Sequence, residues 1–354
     1  MLLALVALLL VSAGAGFTLR VPIAGWLMER ALRRNLGSSR VEELPDGLHV
    51  ALCGAGSPLP DPSRSGPCVA LIAGRRLFVV DAGSGAARVL ARLRLPPGRL
   101  EAVFLTHFHS DHIDGLGELL LQAWAGSGRG DPVPVYGPPG VERVVDGFRR
   151  AYALDAGYRV AHHGPRVMPP GGAGGRARSF AAPAFGSPAT VLEGGGLRVT
   201  AFRVNHAPVD PAVGYRFDYA GRSVVISGDT RRSAEVERVA RGADVLVHEA
   251  LAPALVARIE AAARAVGRSR LVQITEDIRE YHTTPVEAAE IARAAGVRWL
   301  LLDHIVPPLP LSVLETAFLE GVAAVYDGPV TIGRDGTLLR LPAGSQAIDE
   351  EDLL

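Results

Sequence analysis

The chain has 354 residues, of which 48% are hydrophobic and 21% are charged, a composition typical of globular rather than disordered proteins. Its 37 basic residues balance 37 acidic ones, so net charge gives no electrostatic support for binding nucleic acid. The sequence contains no lysine, which excludes Schiff-base catalysis and a phosphate-binding loop that depends on lysine.

The first segment is an uncharged apolar run over residues 2–19. It is short for a membrane span, and the small residues at 13–15 also resemble a signal-peptide cleavage region. Arginines follow the run instead of preceding it, and residues 23–36 could lie along a membrane surface. We expect residues 1–36 to be an uncleaved membrane anchor. Export to the periplasm after cleavage is the alternative, and the side of the membrane is open.

Residues 46–342 are predicted to form one domain after a linker at 35–45. Apolar runs with turn signals predict strands at 48–52, 69–73, 77–80, 102–105, 133–136, 197–204, 214–219, 223–226, 245–247, 297–302, 330–332 and 337–341. Helices are predicted at 86–93, 116–124, 139–152, 234–240, 253–266, 285–295 and 313–321. This order predicts an α/β (α+β) fold, with two mixed sheets covered by helices on their outer faces.

Two segments lack clear periodicity. Residues 156–193 are rich in glycine, proline and alanine, and we interpret them as an insertion over the active-site face. Residues 343–354 are an acidic tail that we expect to be disordered.

The two cysteines, Cys53 and Cys68, do not form a metal-type pair. They could form one disulfide that closes a proline-rich loop, or remain two buried apolar side chains. The sequence favours the second arrangement.

The most informative motif is the run Thr-His-Phe-His-Ser-Asp-His at 106–112, which directly follows the strand predicted at 102–105. Imidazole nitrogens and carboxylate oxygens are the usual ligands of zinc. Alternate residues of an extended chain point the same way, so His107 and His109 can reach one metal. Asp111 and His112 follow the turn of the chain and can reach a second metal.

Three further ligand-type residues stand where predicted strands give way to loops, namely His206, Asp229 and His304. Loops at strand ends are where α/β folds place their chemistry. With the four residues of the motif they make seven ligands. That number is enough for two metals with open positions for water and substrate.

These motifs resemble the metallo-β-lactamase superfamily, and within it the ribonuclease Z-like and arylsulfatase-like branch. The resemblance extends over residues 48–341 and rests on the segments 52–60, 78–83, 106–112, 227–230, 247–250, 282–285 and 302–304. It implies an αββα sandwich and two Zn²⁺ ions, with Mn²⁺ or iron as alternatives. It also implies the assignment of the ligands. One metal would be held by His107, His109 and His206, the other by Asp111, His112 and His304, with Asp229 bridging them.

The resemblance also implies catalytic residues beyond the ligands. His282, in His-Thr-Thr-Pro, would be the general acid that protonates the leaving group, and Glu249 would orient it. Asp111 would belong to the catalytic set as well as to the ligands. A histidine that merely precedes a helix is the alternative for His282.

Several other polar residues have open roles. Asp81 and Asp114 are candidates to support the metal-binding histidines, and an ordinary turn-capping role is the alternative for Asp81. His162 and His163 could contact substrate or form an exposed loop pair. His49 is interpreted as a strand residue, and His248 is left outside the catalytic set.

The sequence departs from ribonuclease Z where that enzyme carries a tRNA-gripping arm, because only residues 207–228 separate His206 from Asp229. We therefore expect a binuclear hydrolase in which a metal-bridging hydroxide attacks a small sulfate or phosphate ester. A phosphodiesterase or ribonuclease Z-like nuclease is the alternative. A non-catalytic metal-binding membrane protein and an iron enzyme of oxygen chemistry are weaker alternatives. Nucleic acid is not expected as a partner, and a homodimer is left open.

Overall fold

The structure is a computed structural model that describes residues 20–33 and 39–354. Most of the predicted membrane anchor lies outside the described residues. Residues 20–33 are helical (α1), and every residue of this stretch is exposed. No helix in the described part of the chain combines the length and apolar character needed to cross a bilayer.

The remaining elements follow in chain order. The helices are α2 (Arg40–Glu43), α3 (Ala86–Arg92), α4 (Ser110–Ile113), α5 (Leu116–Ser127), α6 (Val141–Ala151), α7 (Ala153–His163), α8 (Ala234–Val239), α9 (Pro253–Ala265), α10 (Ser269–Asp277), α11 (Pro285–Ala295) and α12 (Val313–Phe318). Short 3₁₀ turns occur at Pro97–Arg99, Pro170–Gly172, Ile278–Glu280 and Val322–Ala324.

The strands are β1 (Leu48–Gly54), β2 (Cys68–Ala73), β3 (Arg76–Val80), β4 (Leu100–Phe104), β5 (Val133–Gly137), β6 (Gly175–Ser179), β7 (Ala189–Gly194), β8 (Leu197–His206), β9 (Val209–Tyr219), β10 (Arg222–Ile226), β11 (Val245–Leu251), β12 (Trp299–Val306), β13 (Val330–Ile332), β14 (Thr337–Arg340) and β15 (Asp349–Asp352). They form an eight-stranded sheet in the order β15-β14-β1-β2-β3-β4-β5-β6 and a seven-stranded sheet in the order β13-β12-β11-β10-β9-β8-β7. Both sheets are mixed, because parallel pairs such as β3–β4 and β10–β11 adjoin antiparallel ones.

The main core lies in three layers: one between the two sheets and one on the outer face of each sheet. Strand β1 contributes side chains to two of them. Val50 and Leu52 point into the core between the sheets, whereas Ala51 and Cys53 point toward the helices on the outer face. This alternation is the period of two that a strand imposes on its side chains. A third core packs α8, α11 and α12 on the outer face of the second sheet. The predicted sandwich of two mixed sheets flanked by helices is therefore confirmed.

The prediction that the acidic tail is disordered was wrong, and the segment interpreted as an insertion contributes strands to both sheets. Residues 156–193 are largely ordered as the end of α7 and as the edge strands β6 and β7, one on each sheet. Edge position explains the weak pattern, since α7 has no buried residue and the two strands are mostly exposed. The acidic tail forms β15, which pairs antiparallel with β14.

The cysteines correct a further prediction, because Cys53 and Cys68 form a disulfide with Sγ atoms 1.98 Å apart. The bond joins the end of β1 to the start of β2 and closes the loop between them. The same loop is fixed by Asp335, whose carboxylate accepts hydrogen bonds from the backbone N–H groups of Ala55 and Ser65. Sequence spacing alone did not show that the two strands pair at this point.

Candidate metal centre

The ligand-type residues converge at one edge of the sandwich, where strands of both sheets end. β4 leads into the segment that carries His107 and His109, and α4 carries Asp111 and His112. From the second sheet, His206 ends β8, Asp229 follows β10 and His304 lies within β12. The side chains of His107, His206, Asp229 and His304 are at least 97% buried.

The first group consists of His107, His109, His206 and Asp229. His109 Nδ1 lies 3.1 Å from His107 Nε2 and 3.4 Å from His206 Nε2. His206 Nδ1 donates to the carbonyl of Tyr281 at 3.0 Å, and His107 Nδ1 lies 3.0 Å from the hydroxyl of Thr106. The contacts of His107 and His206 assign their protons to Nδ1 and leave their Nε2 lone pairs facing the cluster, where His109 presents Nδ1.

The second group consists of Asp111, His112 and His304. Asp111 Oδ2 lies 3.3 Å from His304 Nε2 and 3.6 Å from His112 Nε2. His304 has a backbone φ of +43°, an uncommon conformation for a residue with a side chain. Strain of this kind is concentrated at functional sites.

Asp229 lies between the two groups. Its Oδ2 atom is 3.3 Å from His112 Nε2, 3.4 Å from His304 Nε2 and 3.8 Å from His206 Nε2. Burial acts to raise the pKa of Asp229, but the imidazoles of His304 and His112 hold it well below its usual range. The Asp229 carboxylate is therefore ionised and placed to interact with both groups.

The residues present fit a pair of metal ions. Nitrogen lone pairs of His107, His109 and His206 face one another, an arrangement that is repulsive unless a cation lies between them. His112 Nε2 and Asp229 Oδ1 are buried and have no hydrogen-bond partner in the described part of the chain. Unpaired buried polar atoms are costly, and coordination would satisfy them. Nitrogen and carboxylate donors of this kind suit zinc, iron or manganese.

Asp81 supports the cluster from the first sheet. Its carboxylate accepts hydrogen bonds from the backbone N–H of Thr106 at 2.9 Å and from its hydroxyl at 2.7 Å. It also accepts from His112 Nδ1 at 2.8 Å. Burial would lower the pKa of His112, but the carboxylates of Asp229 and Asp81 raise it well above its usual value. Asp81 thus fixes the ring and tautomer of His112.

His282 and Glu249 lie on the side of the second sheet. His282 Nδ1 is 3.2 Å from Glu249 Oε1, and Glu249 Oε1 accepts from the backbone N–H groups of Thr230 at 3.2 Å and Thr283 at 2.9 Å. Burial lowers the pKa of His282 to about 4. Burial and the nearby Asp229 carboxylate raise the pKa of Glu249 well above its usual range. Burial therefore favours the uncharged form of both groups.

The other polar residues considered from the sequence do not form part of the cluster. Asp114, at the end of α4, makes no hydrogen bond to a cluster histidine, so of the two support candidates only Asp81 contacts the cluster. His162 and His163 are exposed at the end of α7 and do not line the cavity beside the cluster. His248 and His49 are buried, and each bonds a backbone carbonyl outside the cluster.

Sequence reasoning missed Thr106, Thr283 and Tyr281. Thr106 hydrogen bonds Asp81, and the hydroxyl of Thr283 donates to the carbonyl of Thr230 at 2.6 Å. Both threonines belong to motifs that the sequence had singled out. Their position inside those motifs was the only sequence feature that could have indicated a role for Thr106 and Thr283 in the site.

Comparison with known proteins agrees with this arrangement. The sequence profile of the metallo-beta-lactamase superfamily matches residues 63–268. A protein named Ribonuclease Z from Mycobacterium bovis (strain BCG / Pasteur 1173P2) is 36% identical over 290 residues, which cover 81% of this chain and 96% of the relative. Ribonuclease Z from Mycobacterium tuberculosis (strain ATCC 25618 / H37Rv) is 34% identical with the same coverage.

Solved structures show the same fold at lower identity. The short form of human tRNase Z has a TM-score of 0.59 and 23% identity, and covers 83% of this chain and 99% of its own. The metallo-beta-lactamase fold protein YhfI from Bacillus subtilis has a TM-score of 0.57 and 19% identity, with the same coverage.

The sequence relatives correct the expectation about partners. Zero net charge and the short segment 207–228 argued for a small anionic ester and against nucleic acid. That segment does form only the strands β9 and β10, as predicted. Relatives that share about a third of their residues across most of this chain are nevertheless named Ribonuclease Z, which overturns the expectation.

Proposed function

Because the chain belongs to the metallo-β-lactamase superfamily and is a metal-dependent hydrolase of ester bonds, we propose that it cleaves phosphodiester bonds in RNA. The observation that carries this proposal is the cluster of metal-type ligands with His282 beside it, in a chain that matches a ribonuclease Z relative over 96% of that relative's length. Glu249 belongs to no candidate ligand group, whereas His282 lies close enough to Asp229 and His304 to form one; we propose that His282 acts as a general acid and not as a ligand.

We propose that the two metals are zinc. His107, His109 and His206 would hold one ion and Asp111, His112 and His304 the other, with Asp229 shared between them. When bound, two such ions make water a stronger nucleophile and stabilise negative charge on the reacting phosphate. The protein contributes fixed ligand geometry through Asp81, Thr106 and the carbonyl of Tyr281.

His282 would donate a proton to the sugar oxygen that leaves. Its ring lies 5.4 Å from the rings of both His206 and His304, and it lines the cavity that opens onto the cluster. Glu249 is held by two backbone N–H groups, so its Oε1 atom has a fixed position beside His282 Nδ1. Glu249 would therefore fix the orientation of the imidazole as His282 donates its proton.

The test compares four substrates with the zinc-supplemented full chain. They are a precursor tRNA with a 3′ extension, an unstructured RNA oligonucleotide, bis(4-nitrophenyl) phosphate and 4-nitrophenyl sulfate. We expect cleavage of the phosphodiesters, loss of cleavage after chelation, and no hydrolysis of the sulfate. A His109→Ala variant purified in parallel controls for contaminating nucleases. Hydrolysis of the sulfate without any cleavage of RNA would contradict the proposal.

We also propose that the catalytic domain works in an oxidising compartment. The disulfide between Cys53 and Cys68 supports this, because disulfides persist where thiols are not kept reduced. The apolar run at residues 2–19, which resembles a secretion signal, is consistent with export. Thiol alkylation of the denatured protein, isolated from its own cells, should label no cysteine before reduction and two afterwards. Labelling of two cysteines before reduction would contradict the proposal.

A further inference from the structure

The cavity that opens onto the metal cluster has two chemically different walls. One wall consists of cluster residues and the proposed general acid: His109, Asp111, Asp229, His282 and His304. The lining also includes five residues that we call the apolar wall: Leu59, Ile274, Ile278, Tyr281 and Val306. Phosphate chemistry requires the first wall and does not explain the second.

The apolar wall is built from distant segments that pack on a small core of their own. Leu59, from the loop closed by the disulfide, and Ile278, after α10, both pack against the buried residues Leu251, Val256 and Val306. Ile274, one turn earlier on α10, remains 52% exposed toward solvent. The wall therefore has a fixed backing and an open face, which is how a preformed binding surface differs from ordinary core.

Tyr281 joins the apolar wall to the cluster. Its ring centroid lies 5.0 Å from that of His206 and 4.8 Å from that of His282. Its backbone carbonyl accepts the Nδ1–H of His206, so the position of the residue is fixed by a ligand-type histidine. The ring is only partly buried, and no hydrogen bond holds its hydroxyl within the described residues. Part of the aromatic ring is therefore accessible beside the place where the phosphate would react.

We propose that the apolar wall binds the nucleobase next to the scissile phosphate, with the base stacked on Tyr281. The inference rests on the proposed cleavage of RNA and adds how one nucleotide is held. The cavity has a volume of about 280 Å³, slightly below the range of about 300–1,000 Å³ for drug-sized ligands, so it suits one nucleotide and not a duplex. Stacking on an aromatic side chain accepts any base.

The experiment measures binding and needs no turnover. Isothermal titration of the zinc-loaded full chain compares adenosine 5′-monophosphate with ribose 5-phosphate, which carries the same phosphate without a base. We expect the nucleotide to bind at least about fivefold more tightly, the lower end of what one stacked base contributes. Tyr281→Ala should remove this difference, whereas Tyr281→Phe should retain it because the ring persists.

Further variants make the result decisive. Ile274→Ser changes an exposed part of the wall and should reduce the preference for the nucleotide without disturbing the fold. Tyr158→Ala, at a tyrosine that is 68% exposed on α7, should leave the preference unchanged. Metal content is measured in each variant, so a lost cluster cannot be mistaken for a lost stacking surface. Equal binding of the two ligands by the wild-type protein would overturn the inference, even if RNA is cleaved. A base preference without RNA cleavage would overturn the proposed substrate alone.

Discussion

Two buried carboxylates stand behind the cluster, Asp81 from the first sheet and Glu249 from the second, and their surroundings differ. Asp81 accepts three hydrogen bonds, two from Thr106 and one from His112. Glu249 accepts two backbone bonds through Oε1, and its Oε2 has no partner in the described part of the chain. Asp81 supports a ligand-type histidine, whereas Glu249 supports the histidine proposed as general acid.

This difference indicates that the two carboxylates have different roles, one in metal binding and one in turnover. A carboxylate that fixes a ligand controls metal binding, since outer partners orient the ring and set its tautomer. Glu249 instead lies beside His282, so it would act on the orientation of the proposed general acid. Changes at Asp81 should therefore act through metal content, and changes at Glu249 through turnover.

The largest effect is expected from Asp81→Ala. The substitution removes the carboxylate that accepts one hydrogen bond from His112 and two from Thr106. Breaking a buried pair such as Asp81–His112 by removing one partner costs about 3–5 kcal/mol. We expect a lower unfolding temperature, about one metal per chain instead of two, and no measurable activity. Elemental analysis and thermal unfolding measure these outcomes. Asp114→Ala is the matched control and should keep both metals. Full metal content in Asp81→Ala would contradict the proposed role of Asp81 in metal binding.

His282→Ala should have the next largest effect, and on turnover alone. The other two candidate groups supply ligands for both metals without His282, so both metals should remain; loss of a metal would assign His282 to its own group with Asp229 and His304. Loss of a general acid typically lowers the rate about 10²–10⁴-fold on esters with poor leaving groups. The loss should be far smaller on bis(4-nitrophenyl) phosphate, whose phenolate leaves without a proton. Equal losses on both substrate types would instead assign His282 to substrate positioning or ligand support.

Glu249→Gln should have a smaller effect than His282→Ala. The amide oxygen can still accept from Thr230 and Thr283, and the uncharged side chain resembles the protonated acid. We expect unchanged metal content and about a tenfold lower rate on esters with poor leaving groups. Steady-state kinetics with metal analysis tests this. Loss of a metal in this variant would show that Glu249 serves the cluster as Asp81 does.

The smallest effects should come from a matched pair, Thr106→Val and Thr283→Val. Each removes one buried hydroxyl at nearly constant volume, and each lost hydrogen bond costs about 1–2 kcal/mol. Thr106→Val should weaken metal retention during dialysis against a chelator, because Thr106 contacts both Asp81 and His107. Thr283→Val should lower stability by a similar amount without changing retention. Identical metal loss in the two variants would contradict the claim that the Asp81 side of the cluster controls metal binding more than the Glu249 side.

Much of the candidate site follows from local pattern. The run from Thr106 to His112 places four ligand-type side chains by strand and turn geometry alone, and the structure brings them together. His206, Asp229 and His304 were predicted because apolar runs ended beside them. Asp81 and Asp114 could not be separated in this way, because both follow strands or turns and only the folded chain places one beside His112.

The predicted substrate failed for a related reason. Net charge is a sum over the whole surface, and it carries no information about one cavity. A zero sum is compatible with a cavity that combines histidines and carboxylates with an apolar wall. The missing arm was read correctly from residues 207–228, but its absence did not exclude RNA.

The sequence by itself determined the sandwich, the metal motif and the strand-end ligands, because periods of two and 3.6 and the residue types within them act over short stretches of chain. The tertiary structure alone decided which acid supports His112, that Cys53 meets Cys68, and that the edge strands and the acidic tail are ordered. It also brought Leu59 and Ile278 together over the cluster. Such contacts join residues that are distant in sequence, so their formation depends on the packing of the two sheets, which no local pattern records.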